Sequence, residues 1–180
     1  MITIRPTSPE DIPTLLEIFQ AARAFMAANG NPTQWVNRPT AADIERDISK
    51  GNSYVCIEDG AIAGTFAYIP GPDPTYKLIE NGQWPDEEPY GVIHRLAGSK
   101  GHRGVAQAAI QWAFEQCERL RLDTHENNHV LQTVLKQEGF LHCGTIYVED
   151  GTPRWAYFKH QTSEQGQNNK KTIQTAGNAQ

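Results

Sequence analysis

Apolar and polar positions along this chain follow two periods, and the change from one to the other separates the predicted elements. Apolar residues recur at helical spacing in four segments: 12–26, 44–48, 105–120 and 130–135. Alternation, or enrichment in β-branched and aromatic residues, marks seven more: 2–5, 54–58, 61–69, 90–97, 120–124, 145–148 and 154–159. The order is one strand, two helices, three strands, a helix, a strand, a helix and two strands. This mixed order predicts an α/β sandwich.

Capping and turn residues set the boundaries of these elements. Ser8 and Thr40 each begin a capping box, which predicts the starts of the first two helices. Asp59-Gly60 and Asp150-Gly151 suit the positive φ angles of tight turns, so each predicts an antiparallel pair of strands. Gly139 is placed to end the last helix.

Composition bounds the organisation of the chain. Its 180 residues, 38% of them hydrophobic, suffice for one packed domain and are too few for two separate cores. Beyond residue 160 the sequence is polar and lacks aromatic residues, so we expect one domain over 1–160 and a disordered tail over 161–180. No stretch reaches eighteen apolar residues and the first twelve residues show no signal-peptide pattern. We therefore expect a cytoplasmic protein that does not bind membranes.

Charge and cysteine content exclude several further classes. A net charge of −5 argues against nucleic-acid binding, which requires a clustered basic surface. The cysteines Cys56, Cys117 and Cys143 are odd in number and far apart, which argues against a disulfide framework or a zinc ribbon. The sequence does not fix the oligomeric state and leaves a homodimer open.

The turn between the strand at 90–97 and the next helix has the features of a phosphate site. It holds three glycines and three basic residues: Gly98, Gly101, Gly104, Lys100, His102 and Arg103. Backbone N–H groups at a helix start, together with the helix dipole, favour a phosphate or pyrophosphate. The alternative is a basic connection without a ligand. The glycine and lysine spacings of the dinucleotide fold and of the P-loop are both missing from this chain.

In its context this turn resembles the acyl-CoA site of the GNAT superfamily of N-acetyltransferases. The family pattern is Arg or Gln, two residues, Gly, one residue, then Gly or Ala, and it falls here on Arg103, Ala106 and Ala108. Ala106 stands where the family usually has Gly. The resemblance extends over residues 1–160 through His94 and its neighbours, 122–125, Asn128 and 139–140.

The resemblance implies a fold and a donor site. The fold is a mixed, mostly antiparallel central sheet flanked by four helices and splayed at the strand 90–97. The donor is acetyl-CoA, without a metal, and the acceptor is an amine. The resemblance places the donor on the following residues: Leu96, Ala97, Gly98, Arg103, Gly104, Val105, Ala106, Ala108 and Asn128.

Direct transfer of an acetyl group needs a base for the amine, stabilisation of the thioester oxygen and an optional acid for the thiolate. We expect His94 to be the base, since alternation puts it on one strand face with Val92 and Leu96. The alternative is that His94 is a hydrogen-bonded histidine of the strand without a role in the reaction. His125 is the second choice of base. Many family members carry a Tyr as the acid four residues before the position of Gly139, where this chain has Leu135, so Tyr147 or water must serve.

The acceptor is predicted from the loop at 70–89. Five acids, among them Glu80, oppose one lysine there, giving a balance of −4. We expect this charge to attract a cationic amine, with Trp35, Tyr76 and Trp84 as the walls of its site. A solvated acidic loop without this role is the alternative.

Two other functions compete with the acetyltransferase. Residues 125–129 read His-Glu-Asn-Asn-His, the zinc signature His-Glu-x-x-His, which requires a helix to place both imidazoles on one face. The adjacent strand and the two asparagines favour a turn there, so the ligands would diverge. The second competitor is a GNAT-like module that binds acyl-CoA without catalysis, to which Ala106 and Leu135 point.

Overall fold

A computed structural model describes residues 1–161. Within them the strands are β1 (Thr3–Pro6), β2 (Ser53–Glu58), β3 (Ala61–Pro70), β4 (Gly91–Gly98), β5 (Arg119–Thr124), β6 (Leu141–Tyr147) and β7 (Pro153–His160). The helices of this part are α1 (Ile12–Ala28), α2 (Ala41–Ser49), α3 (Val105–Gln116) and α4 (His129–Gln137). None of these helices is long and apolar enough to cross a membrane. The tail predicted at 161–180 falls, apart from its first residue, outside the described residues.

The strands form one sheet in the order β1-β2-β3-β4-β5-β7-β6. Every neighbouring pair is antiparallel except β4 and β5, which confirms the expected mixed, mostly antiparallel sheet with four helices. Both predicted tight turns join the strands expected of them. The parallel pair β4–β5 is registered at only two positions, Gly91 with Leu120 and Val92 with Arg121. Beyond them the two strands separate, which opens a wedge in the middle of the sheet.

Helices cover the two faces of the sheet in pairs. The apolar sides of α3 and α4 bury one face, with Ala109 and Leu135 fully enclosed. The other face is covered by α1 and α2 over the first four strands, where Leu15 and Ile44 are buried with Ala97. Toward the β7–β6 edge the loop between β3 and β4 replaces these helices on that face.

A bulge in β4 changes the face that its side chains reach. Two steps along β3 correspond to three along β4, and Arg95 takes a φ of 52°. Val92 and His94 share a face, as alternation predicts. The prediction that Leu96 joins them is wrong, because the extra residue returns Leu96 to the α3 side, while Ala97 packs with α1 and α2.

A buried arginine anchors the loop between β3 and β4. The Arg121 guanidinium lies 4.2 Å from the ring centre of Trp84 and 3.9 Å from that of Tyr90, and it donates to the Asp86 carbonyl oxygen at 2.6 Å. Arg119 donates from Nε to the Asp86 carboxylate at 3.1 Å. Charges of this acidic loop are therefore engaged by β5, and the loop is packed as part of the fold.

Candidate active site

The wedge between β4 and β5 opens into a cleft of about 1440 Å³. On one side its wall is the 98–107 turn with the start of α3 and residues of α4. On the other side the wall comes from α1, α2, the segment between them and residues 72–75. The cleft therefore joins the two faces of the sheet, which allows two ligands to meet within it.

The first half of the cleft presents backbone groups. From Ile93 onward, β4 has no strand partner on its β5 side, so main-chain N–H and C=O groups there are open to a ligand. Gly104 precedes α3 with a φ of 79°, and the first intrahelical bond runs from the Ala108 N–H to the Gly104 carbonyl. The N–H groups of the three residues between them therefore have no partner inside the helix. Main-chain donors and the helix dipole therefore give this helix start the features of an anion site.

Space at this helix start is adequate for a diphosphate. A side-chain carbon placed on Gly101 or Gly104 would meet no atom within 4 Å. Ala106 lies within α3, so its helical backbone carries its methyl group without strain. Seven of the predicted donor residues line the cleft: Leu96, Ala97, Gly98, Gly104, Val105, Ala106 and Asn128. Arg103 and Ala108 do not line it, so the Arg103–Ala108 pattern identifies the position of the turn but not the residues that border the cleft.

The second half of the cleft holds a network around His94. Its Nε2 lies 2.8 Å from Asp73 Oδ2, and its Nδ1 lies 3.7 Å from Asp123 Oδ1. The Tyr76 hydroxyl donates to the same Asp123 oxygen at 2.7 Å. With its Nε2–H donated to Asp73, His94 keeps the Nδ1 lone pair as a proton acceptor beside Asp123.

The environment keeps Asp73 ionised and Tyr76 neutral. Burial alone would raise the pKa of Asp73, but hydrogen bonds from His94 and Thr75 lower it to about 2. Burial, together with the charges of Asp123 and Asp73, raises the pKa of the Tyr76 hydroxyl well above its ordinary value. A carboxylate that is ionised near neutral pH thus faces the imidazole, where it would stabilise a positive charge on the ring.

Four predicted acceptor or acid residues lie outside the cleft. Tyr76 and Trp84 are buried in the core under the loop, where the Trp84 Nε1–H donates to the Tyr76 carbonyl, so they are not walls of an acceptor site. Glu80 Oε2 accepts from the Tyr147 hydroxyl at 2.7 Å, and neither residue borders the cleft. Only Trp35 of the predicted aromatic set lines the cleft, held edge-on against Phe19 with ring centres 5.6 Å apart.

The segment 125–129 is a turn followed by a helix start. His125 precedes the turn and His129 is the first residue of α4, with Asn128 as its cap accepting from the Leu131 N–H. The expected break in the zinc signature is therefore present, since the two imidazoles do not share a helix. His125 lies 3.4 Å from the Thr33 hydroxyl, outside the cleft, and burial lowers its pKa. Among residues 1–161 no group of three or more His, Cys, Asp or Glu side chains is arranged to hold a metal.

Several cleft residues escaped prediction from the sequence. Asp73 and Asp123 hold His94, and Arg95 pairs through Nε with Asp47 Oδ2 at 2.8 Å. The sequence Asp73-Pro-Thr has the composition of a capped turn, and Asp73 does cap the short 3-10 helix Pro74–Tyr76. That signal predicts the turn but not the partner 21 residues further on.

Comparisons with known proteins agree with this geometry. The family model described as Acetyltransferase (GNAT) family matches residues 15–140. A crystal structure of a GNAT-family acetyltransferase from Streptococcus agalactiae is 33% identical, with a TM-score of 0.82 over 90% of this chain and 96% of that one. A putative acetyltransferase from Staphylococcus aureus is 25% identical, with a TM-score of 0.64 over 88% and 98%.

More distant similarity extends to the fold alone. The NatC complex bound to Gag peptide and CoA contains a chain that is 14% identical, with a TM-score of 0.54 over 89% of this chain and 99% of that one. No curated protein is significantly similar to this chain in sequence.

Proposed function

Since this chain belongs to the GNAT family of acetyltransferases, we propose that it transfers an acetyl group from acetyl-CoA to a primary amine by direct attack in a ternary complex. The observation that carries the proposal is the cleft that joins both faces of the sheet, with a main-chain anion site on one side and the His94 network on the other. The two halves supply the two kinds of group that such a transfer requires.

The donor half suits a long ligand with a diphosphate. The diphosphate would accept hydrogen bonds from the free N–H groups of Val105 to Gln107, and Lys100 adds positive charge to the same wall. The unpaired edge of β4 near Leu96 and Ala97 would hold the extended arm as an added strand. The thioester of acetyl-CoA supplies an activated acyl group at the end of that arm.

The acceptor half suits the deprotonation of an amine. An ammonium group lying between His94 Nδ1 and Asp123 would give one proton to the imidazole, and Asp73 would stabilise the charge that results. The amine nitrogen then bonds to the carbonyl carbon, the carbon–sulfur bond breaks and the coenzyme leaves as a thiolate, while the nitrogen gives its second proton to water and becomes the amide N–H. Backbone N–H groups of β4 would stabilise the carbonyl oxygen as it gains charge.

Water is the proposed proton source for the thiolate. Leu135, at the position where the resemblance implies a tyrosine, is fully buried in the core. The Tyr147 hydroxyl is engaged by Glu80 away from the cleft. A thiolate of low basicity leaves without an acid, so the missing tyrosine does not prevent the reaction.

The acceptor carries positive charge at its reactive amine. Of the five acids in the loop only Asp73 lines the cleft, and Asp123 of β5 supplies a second carboxylate. These two groups, rather than the loop as a whole, would attract the ammonium, and Trp35 lines the same side of the cleft as Asp73.

Two measurements test the proposal. Coenzyme A at a hundred times its dissociation constant should stabilise the protein by about 2.7 kcal/mol in thermal melting, if a donor site exists. Thiol release from acetyl-CoA with a panel of amines should then show turnover that is lost in His94→Gln. Stabilisation without turnover of any amine would instead support the non-catalytic acyl-CoA module.

A further inference from the structure

A buried arginine with no acidic partner lies in the acceptor half of the cleft. Arg154 is 7% exposed and lines the cleft, yet it forms no ion pair within residues 1–161. Its guanidinium donates to three neutral acceptors: the Thr152 hydroxyl at 3.0 Å, the Pro153 carbonyl at 2.8 Å and the Gln34 carbonyl at 3.3 Å. Buried charges are normally paired, so this arrangement leaves an anion unaccounted for.

No nearby acid of the described residues forms a direct ion pair with Arg154. Hydrogen bonds from Thr152 and the charge of Arg154 lower the pKa of the exposed Asp150 carboxylate, but Asp150 is not paired with Arg154. By contrast, three other arginines that line the cleft have ion-pair partners. Arg38 and Arg46 both pair with Asp43, at 2.6 and 2.7 Å, and Arg95 pairs with Asp47.

Sheet register brings Arg154 close to the His94 network. Asp123 on β5 is directly opposite Ala156 on β7, so Arg154, two residues earlier, points to the same face as Asp123. Diagonal neighbours of this kind have Cβ atoms roughly 7–8 Å apart or somewhat less. Asp123 and Arg154 therefore start from neighbouring positions on the same face of the sheet, and both side chains line the cleft.

Asp123 has a free oxygen for a cationic group. Its side chain is 10% exposed; Oδ1 accepts from the Tyr76 hydroxyl, and Oδ2 has no hydrogen-bond partner in the described residues. Nδ1 of His94 lies beside it. One small molecule with an ammonium at Asp123 and an anion at Arg154 would satisfy both groups.

We propose that the acceptor is a small free amino acid, whose ammonium lies between Asp123 and His94 and whose carboxylate is bound by Arg154. This rests on the proposed acetyl transfer and adds a substrate class to it. A carboxylate matches the planar fork of the guanidinium, and an α-amino acid separates its two charges by a single carbon, within the span of neighbouring side chains. A polycationic acceptor would instead bring positive charge against Arg154.

The wild-type enzyme provides the first test. Initial rates of thiol release from acetyl-CoA are measured with the common amino acids, with the carboxamide of each and with spermidine. We expect at least one amino acid to be acetylated with a kcat/KM on the order of 30-fold or more above that of its carboxamide, since a buried charge would lose its partner. Equal or faster turnover of the carboxamides or of spermidine would overturn the amino-acid proposal and leave the acetyltransferase intact. Absence of turnover with every amine would overturn the acetyltransferase itself.

Variants provide the second test. Arg154→Gln should raise KM for the preferred amino acid and reduce its advantage over the carboxamide to less than about threefold, because the bidentate charge is gone. Arg46→Gln is the matched control: it removes a cleft arginine that is paired with Asp43, which keeps Arg38 as its partner, so the advantage should persist. Melting curves show whether each variant folds. If a folded Arg154→Gln keeps the wild-type discrimination, the assignment of Arg154 is wrong.

Discussion

Replacing Asp73 by asparagine tests whether the Asp73 carboxylate holds His94 in the state that lets it act as the proposed base. Asp73 Oδ1 accepts from the Thr75 N–H and hydroxyl at 2.9 and 2.7 Å, and an asparagine oxygen can keep both bonds and the cap. Its Oδ2, however, becomes an amide NH₂ that faces His94 Nε2 at 2.8 Å. Two donors then meet, so the imidazole must turn or exchange tautomers, and Nδ1 no longer holds the free lone pair.

The loss can be estimated from the burial of the pair. The side chains of His94 and Asp73 are 22% and 12% exposed, so the bond is largely shielded from water. A hydrogen bond to a charged group contributes about 1.5–3 kcal/mol, which corresponds to about a 10- to 150-fold fall in kcat/KM.

The assay is the pH dependence of thiol release at saturating acetyl-CoA, together with melting curves. Asp86→Asn is the control: it neutralises an acid of the same loop that pairs with Arg119 away from the cleft, and it should change kcat/KM by less than about twofold. A folded Asp73→Asn protein with wild-type rates across this pH range would refute the role assigned to His94.

Three further predictions concern stability. Thr40→Ala removes the oxygen that accepts from the Asp43 N–H at the start of α2 and should lower the unfolding free energy by about 1 kcal/mol in urea titrations; Ser49→Ala, at the far end of that helix, should cost much less. Leu135→Ala leaves a cavity in a fully buried position and should cost about 2–5 kcal/mol, and a loss below 1 kcal/mol would mean that α4 packs differently. A hydrogen bond from Arg5 lowers the pKa of Asp11 to about 2. The ionised Asp11 therefore contributes fully to the stability of the fold above its ordinary pKa of 3.8, and this contribution is lost as the pH falls through 2. The Tm difference between wild type and Asp11→Asn should accordingly narrow between pH 5 and pH 2, and a widening gap would contradict the sign.

Local sequence predicted the turn and the helix start that line one half of the cleft. A helix start after a glycine turn follows from a few adjacent residues, and its free N–H groups come with the backbone. The bulge in β4 was not predicted: the adjacent polar residues His94 and Arg95 interrupt the alternation of apolar and polar positions in this strand, but that interruption alone does not indicate a bulge. The positive φ of Arg95 arises only when the strand is paired with β3.

The acceptor half was less predictable because its parts are distant in the chain. Asp73, Asp123 and Arg154 come from a loop and two strands, and only the sheet register makes them neighbours. The excess of acids in the loop at 70–89 predicted a negative charge in this half of the cleft. It did not predict that, of the five acids, Asp73 alone would line the cleft. Arg119 and Arg121 of β5 bind that loop, and no local sequence pattern indicates this pairing.

The separation of β4 from β5 has a consequence for the order of binding. Because the cleft joins opposite faces of the sheet, the proposed donor and acceptor would enter from different sides, and each would be able to leave while the other stays bound. The two meet only at the narrow centre, where main-chain atoms of β4 form the boundary. Substitutions of side chains on the proposed acceptor side would therefore change which amine fits, and the main-chain groups proposed to bind the coenzyme would stay as they are.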